Sequence, residues 1–155
     1  MTSIYDWSLN APANANADAL IDWAEGQPPS SVNNSARAMM QRIREYIADT
    51  SGEVTVSGVA NNINVLGKIP LTKYQNGVRL RFTATQTNTK KTVLNYNNVG
   101  EKTIFKTAYS GICALSGGEI VAGGIYDVVY RAELANSAGG GSYSIQQYLN
   151  CIKQV

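Results

Sequence analysis

Apolar residues recur every three or four positions between the proline pair Pro28–Pro29 and Gly52. The residues with this spacing are Val32, Ala36, Met39, Ile43 and Tyr46. Charged and amide side chains occupy much of the remaining surface, so the pattern predicts one amphipathic helix. We expect Ser30 or Ser31 to cap its first turn. Gly52 should end it, because glycine readily adopts a positive φ.

The apolar stripe of this helix has two interpretations. Met40 and Ile47 widen it, and a single helix could bury such a stripe against its own domain, as most helices do. The same spacing is that of a coiled-coil seam, which would join copies of the chain. The pattern lasts barely two heptads, so the spacing alone does not decide between the two.

After the helix, apolar and polar residues alternate in short segments. The alternation is clearest over residues 78–85, where Arg79 and Arg81 fall on the polar face, as in a half-buried strand. Other β-prone segments lie at 53–56, 63–65, 92–96, 102–107, 119–122, 125–131 and 142–148. Short strands with turns rich in Gly and Asn favour a small antiparallel β-sandwich or barrel-like domain. The predicted fold class is therefore mainly β, with residues 1–52 forming an extended arm and helix and residues 53–155 forming the β domain.

Residues 1–27 show little periodicity and contain few bulky apolar residues apart from Trp7 and Trp23. Such a segment does not predict a core of its own. Large aromatic side chains are favoured anchors at interfaces, so we expect both tryptophans to insert into a partner surface. The alternative is that both rings pack on the chain's own helix.

Composition and charge narrow the range of partners. The 155-residue chain is 44% hydrophobic and 15% charged, which indicates a globular protein of one domain, or a small domain with an arm. Its net charge of +2 is spread without a polybasic block, so we expect no nucleic-acid partner. The N-terminus lacks the pattern of a secretory signal, and no apolar run approaches about 18 residues, so we expect no membrane insertion.

The residues needed for catalysis are scarce. The chain contains no histidine, the side chain that most often serves as a general base or a zinc ligand. The eleven acidic residues are scattered, and the Gly-rich runs lack the Lys-Ser/Thr of a phosphate loop. We therefore expect no enzymatic activity, no metal and no cofactor.

The two cysteines, Cys113 and Cys151, lie far apart and form no CxxC motif. Cys113 belongs to an apolar run at 112–115 that we expect to be a buried strand. We expect both thiols to be reduced and to pack as small hydrophobes. The alternative is a disulfide that joins the C-terminal tail to the body, or one subunit to the next, in an oxidising environment.

Two parts of the sequence resemble a known family. Residues 5–50 contain YDWS, ANANAD and IDWAEGQPPSSVNNSARAMMQRI in that order, and are similar to the N-terminal segment of bacteriophage tail-fibre and related virion fibre proteins. Residues 77–130 contain GVRLRFTATQTNTKKTVLNYNNVGEKTI and GGEIVAGGIYDVVY. These resemble the small β module that often follows that segment.

The resemblance implies a virion structural protein, namely a short tail or collar fibre or a fibre-adaptor subunit, assembled in the host cytoplasm. It implies a homotrimer, with the seam Val32, Ala36, Met39, Ile43 and Tyr46 shared about the axis. The N-terminal arm, with Trp7 and Trp23, would dock on other phage structural proteins of the tail, baseplate or collar.

The sequence also allows a function of a different class from a virion structural subunit. In that class the chain is a tip protein that binds a host surface receptor or a glycan during adsorption. Tyrosines would then supply the stacking surface, because aromatic rings offer both an apolar face and a polar tip. The candidates are Tyr109, Tyr126, Tyr130, Tyr143 and Tyr148.

Overall fold

A computed structural model of the chain describes residues 1–109 and 111–134 and the backbone of residues 142–146. Two short 3₁₀ helices, Ile4–Asp6 and Ala11–Asn14, precede the helix α1 (Pro29–Ser51). Eight strands follow: β1 (Thr55–Val59), β2 (Asn62–Leu66), β3 (Arg79–Thr83), β4 (Val93–Tyr96), β5 (Glu101–Ala108), β6 (Gly111–Ala114), β7 (Ile125–Arg131) and β8 (Ser142–Gln146). The prediction of a mainly β fold with one long helix is confirmed.

Helix α1 begins slightly earlier than the serines indicated. Pro29 is its first residue, and Pro28 occupies the cap position. Pro29 suits the first helical position because proline has the required φ and carries no amide hydrogen that would need a partner. Ser31 lies inside the first turn, and its hydroxyl donates to the carbonyl of Pro28 at 2.8 Å. The expected serine cap is therefore wrong. Gly52 ends the helix at φ 95°, as expected.

The strands form one mixed sheet in the order β1-β2-β4-β5-β8-β7-β3, with β6 paired to β5 outside this path. The prediction of an antiparallel domain is wrong at two pairings. Strands β2 and β4 run parallel, as do β5 and β8. Strand β3 lies between β2 and β4 in sequence but at the far edge of the sheet. The alternation of apolar residues fixes which face of a strand is buried, but it does not identify the neighbouring strand.

Strand β5 connects the two halves of the sheet. Its first residues pair with β4, and residues further along pair with β8 and β6. Buried side chains of β2, β3, β4, β5 and β7 belong to a single apolar core, in which Phe82, Leu94 and Ile104 are fully buried. The terminal strands β1 and β3 are not paired with each other, so the described strands do not close into the expected barrel.

Two further local expectations differ from the structure. Residues 119–122, predicted as a strand, form a loop with glycines at positive φ on either side. Residues 111–114 do form a strand, but it is largely exposed rather than buried, and Ile112 points to solvent. Across residues 1–109, 111–134 and 142–146, no helix is both long and apolar enough to cross a membrane.

Candidate functional site

Most of the fully buried residues of α1 are polar. Its four buried residues are Ser35, Arg42, Ala48 and Asp49. The Ser35 hydroxyl accepts from the amide of Asp22 and donates to its carbonyl, both at 2.9 Å. The helix is therefore attached to its own chain largely by directed polar contacts, and most of its large apolar residues are left for another use.

Arg42 joins the helix to the N-terminal segment. Its Nε donates to Oδ2 of Asp18 at 2.8 Å and its Nη2 donates to Oδ1 at 3.3 Å. Both side chains are almost completely buried. Burial acts to raise the pKa of Asp18, but the hydrogen bonds from Arg42 and from the amide of Leu20 lower this pKa to about 2. The pair therefore stays ionised at neutral pH, and it holds residues 1–27 against the helix.

Asp49 fixes the other end of the helix to the sheet. Its carboxylate accepts from the amides of Lys68 and Ile69 at 2.6 and 2.9 Å, and also from the hydroxyl of Tyr96. Burial, followed by the charge of Asp49, raises the pKa of Tyr96 strongly, so this hydroxyl keeps its proton and remains a donor. A Cβ on Gly67 would clash with the Asp49 carboxylate, which explains a glycine at that position.

The five residues of the proposed seam do not share one environment. Val32 and Ile43 are exposed, and Ala36 is half-buried beside them. Met39 and Tyr46 turn towards the chain itself: Met39 lines a cavity, and the Tyr46 ring meets Tyr5 edge to face at 6.0 Å.

The apolar residues that do face solvent form a continuous line along α1. Met40 and Ile47 are 69% and 48% exposed, and Ile43 between them is 42% exposed. The residues of this line, called here the apolar stripe, are Val32, Ala36, Met40, Ile43 and Ile47. Their spacing of four, four, three and four keeps them on one side of a helix. Sequence spacing alone could not separate this stripe from the predicted seam, because Met39 and Met40 fit it almost equally well.

Trp7 and Trp23 lie together beside α1. With Ile21 and Met39 they line a cavity of about 120 Å³, whose polar lining consists of Asn14 and Asp18. The indole Nε1 of Trp7 donates to Oδ2 of Asp18 at 3.4 Å, while Trp23 stays 37% exposed. Both rings therefore line a cavity formed by the chain itself, and their insertion into a partner surface stays a prediction.

The remainder of residues 1–27 is also attached to the body. Ser3 and Ile21 are buried, and the hydroxyl of Tyr5 accepts from the amide of Arg79 in β3 at 2.9 Å. Leu9 and Leu20 are exposed apolar side chains in the same segment. The segment is thus a folded layer that covers one side of α1 and presents two leucines outward.

The two motifs of the β module contact each other. Asn88, fully buried, accepts from the amide of Ile120 at 2.8 Å and donates to Oε2 of Glu119 at 3.0 Å. Lys106 donates to the other oxygen of Glu119 at 2.7 Å. Burial raises the pKa of Glu119, but these and further hydrogen bonds lower it well below its ordinary range. These contacts stabilise the two loops that carry Asn88 and Glu119.

The other predicted contact residues are dispersed. Arg79 and Arg81 both approach the carboxylate of Asp127, at 3.5 and 2.6 Å, so an internal partner already balances part of their charge. Of the candidate tyrosines, Tyr109 is fully exposed, whereas Tyr130 is buried and stacks on Tyr74.

The remaining tyrosines do not complete a binding surface either. The ring of Tyr126 is tilted against Phe82 at a centroid distance of 5.9 Å. The side chain of Tyr143 and all of Tyr148 lie outside the described residues. The structure therefore brings no shared tyrosine surface together among the residues that it describes.

The disulfide alternative concerns a residue outside the described part of the chain, Cys151. Cys113 is a half-buried free thiol in β6. Within the described ranges, no group of three Cys, Asp or Glu residues is placed to hold a metal ion.

Comparison of the chain with protein-family models, with curated proteins and with solved structures gave no match. The likeness to phage fibre proteins therefore rests on the sequence motifs alone.

Proposed function

We propose that the protein is a structural subunit of a bacteriophage virion, a short tail or collar fibre or a fibre adaptor, that assembles as a homotrimer through α1. The observation that carries the proposal is the division of α1 into two faces. A polar face with Ser35, Arg42 and Asp49 binds the helix to its own chain, and the apolar stripe is left in solvent. A 23-residue helix with such a stripe suits a helix bundle about an axis.

The polar attachment explains why the stripe is available. A helix that only had to pack on its own domain would direct its large apolar residues inward, because burying them stabilises the fold. Here Met40 and Ile47 point outward while the Arg42 guanidinium points inward. Burial of the stripe against other copies would remove this apolar surface from water.

The folded layer of residues 1–27 is the part that we propose docks on the particle. It is attached to α1 through Asp18 and to β3 through Tyr5, so it holds a fixed shape before docking. Its exposed apolar side chains include Leu9 and Leu20. A pre-shaped surface loses less conformational entropy on binding than a disordered arm would.

Sedimentation of the full chain at micromolar concentration tests the trimer. We expect the wild type to sediment as a trimer. Ile43→Asp should sediment as a monomer, because a carboxylate at the centre of the stripe would be buried without a partner. Asn34→Asp is the matched control: Asn34 is exposed on α1 but lies off the stripe, so this variant should remain trimeric. A monomeric wild type at that concentration would overturn the proposal.

A receptor-binding tip is less well supported, because Tyr130 is buried and Tyr109 stands alone on the surface of the described chain. Binding of the purified protein to host cells, compared with Tyr109→Ala, is the measurement that would favour it.

A further inference from the structure

The apolar stripe of α1 has two chemically different borders. At 3.6 residues per turn, Met39 lies along one border, and it lines the same cavity as Trp7 and Trp23. Arg37 and Arg44 lie along the opposite border. An aromatic cavity and a row of guanidinium groups therefore flank the same surface that we propose is shared between copies.

The cavity has no unsatisfied polar group that would select a polar ligand. Asp18 already accepts from Arg42 and Trp7. The amide of Asn14 both accepts from and donates to the backbone of Ser8, at 2.7 and 2.8 Å. At about 120 Å³ the cavity is well below the size of a pocket for a drug-sized ligand. It offers room for one side chain, with indole rings in its wall.

An arginine suits such a cavity. Its methylene stem packs on apolar surface and its guanidinium is attracted to the face of an indole ring. Arg37 is exposed and forms no ion pair or side-chain hydrogen bond with any residue that the structure describes. Arg44, one heptad later, differs because it donates to Glu53 of its own chain at 2.6 Å.

In a parallel assembly, helix geometry would bring Arg37 close to the cavity of a neighbouring copy. In a parallel bundle, the two borders of adjacent seams face each other, whereas an antiparallel pair would bring like borders together. Arg37 and Met39 are separated by two residues, or about 3 Å along the helix axis. Arg37 of one copy therefore lies at the level of the cavity in the next copy.

We propose that Arg37 of each chain inserts into the Trp7–Trp23–Met39 cavity of the neighbouring chain in a parallel assembly. This inference rests on the proposed trimer. It assigns the two tryptophans to the contact between copies, and it leaves Leu9 and Leu20 for the surface that meets the particle.

The test is the concentration dependence of assembly for the full chain. Arg37→Ala should raise the concentration at which the trimer dissociates by about tenfold, as expected for the loss of cation–π contacts. Arg44→Ala removes the same kind of side chain from the same border of the stripe, but Arg44 is already paired with Glu53 of its own chain. This control should change the dissociation concentration much less. Trp23→Ala should match Arg37→Ala, and the double variant should be no weaker than either single variant, because both remove one contact.

Intrinsic fluorescence gives an independent measurement, since Trp7 and Trp23 are the chain's two tryptophans. Tryptophan emission should change when the wild type is diluted until the trimer dissociates. The change in emission on dissociation of Arg37→Ala should be smaller. Suppose that the wild type assembles and that Arg37→Ala matches Arg44→Ala in both the concentration at which the trimer dissociates and the tryptophan emission. The inference is then wrong, and the proposed trimer stands. If the wild type is monomeric at every concentration, the proposed function itself fails.

Discussion

Arg42 of α1 and Asp18 of the N-terminal segment form an ion pair with a 2.8 Å contact, in which the two side chains are only 3% and 1% exposed. The Nη1 atom of Arg42 donates to Glu45 at 3.0 Å. Twenty-four residues separate the two partners in sequence, so the pair closes the whole N-terminal segment onto the helix. A segment with few bulky apolar residues is thereby ordered by charge and hydrogen bonds.

Replacing Arg42 should destabilise the protein severely. Arg42→Ala would leave the Asp18 carboxylate buried without its cation, and loss of one partner from a buried pair typically costs about 3–5 kcal/mol of the free energy of unfolding. The control is Arg44→Ala, because Arg44 and Glu53 form an exposed pair and exposed pairs contribute little. Urea unfolding followed by circular dichroism measures both variants. Similar stability of the two would show that the buried pair is not needed for the fold.

The same pair predicts how stability depends on pH. The folded protein lowers the pKa of Asp18 from 3.8 to about 2, so this carboxylate contributes stability that is fully present above about pH 4. The contribution, about 2 kcal/mol for a shift of this size, should be lost as the pH falls through the folded pKa. Asp18→Asn lacks it at every pH. The difference in unfolding free energy between wild type and Asp18→Asn should therefore shrink between pH 5 and pH 2.

A constant difference over that range would contradict the assignment. Glu119, whose pKa is also lowered, would add to the acid sensitivity of both proteins equally. The comparison with Asp18→Asn therefore isolates the Asp18 contribution.

The sequence predicted the positions of the helix and of individual strands more accurately than it predicted which strands pair with each other. The spacing from Val32 to Tyr46 and the glycine at position 52 located α1 correctly, because the period of a helix and its end signal are local properties. The alternation around Leu80 and Phe82 located β3 and its buried face for the same reason. The pairing of β2 with β4 depends on contacts between distant segments, and the strand pattern carries no information about them.

The candidate site shows the same limit. Arg42 lies on α1 next to residues of the predicted seam, and nothing in the spacing indicates that its guanidinium is buried with Asp18. In the fold, Met40 and Ile47 face outward, whereas Met39 and Tyr46 turn towards the chain itself. A polar residue within the apolar side of a helix was the available signal. Its partner could be identified only from the fold.

Tyr96 provides a test of the contact between the helix and the sheet. Its ring is fully buried, and its hydroxyl donates to Asp49. Tyr96→Phe keeps the ring and removes the donor, which should cost about 1–3 kcal/mol because a buried charged acceptor loses a partner. Tyr109→Phe removes the same hydroxyl from a fully exposed side chain and should have almost no effect. Equal urea midpoints for the two variants would show that the Asp49 contact contributes little.

Residues 1–27 allow folding and docking to be separated. Deleting this segment removes the buried residues Ser3, Asp18 and Ile21 and uncovers the side of α1 that they cover. We therefore expect the truncated chain to be less stable than the wild type, because these contacts are lost. A truncation that fails to join particles would therefore not distinguish loss of docking from loss of fold. Substitutions at the exposed Leu9 and Leu20 avoid this ambiguity, because neither side chain belongs to the buried core.

The Leu9→Ser, Leu20→Ser double variant should unfold at the same urea concentration as the wild type. It should also remain trimeric, since both leucines lie outside the apolar stripe of α1. Its copy number in assembled particles should fall at least tenfold, because two apolar anchors are removed from the docking surface. Quantitative mass spectrometry of purified virions measures this number. Normal incorporation of a folded double variant would place the docking surface elsewhere, whereas reduced incorporation with unchanged stability and assembly assigns it to the N-terminal layer.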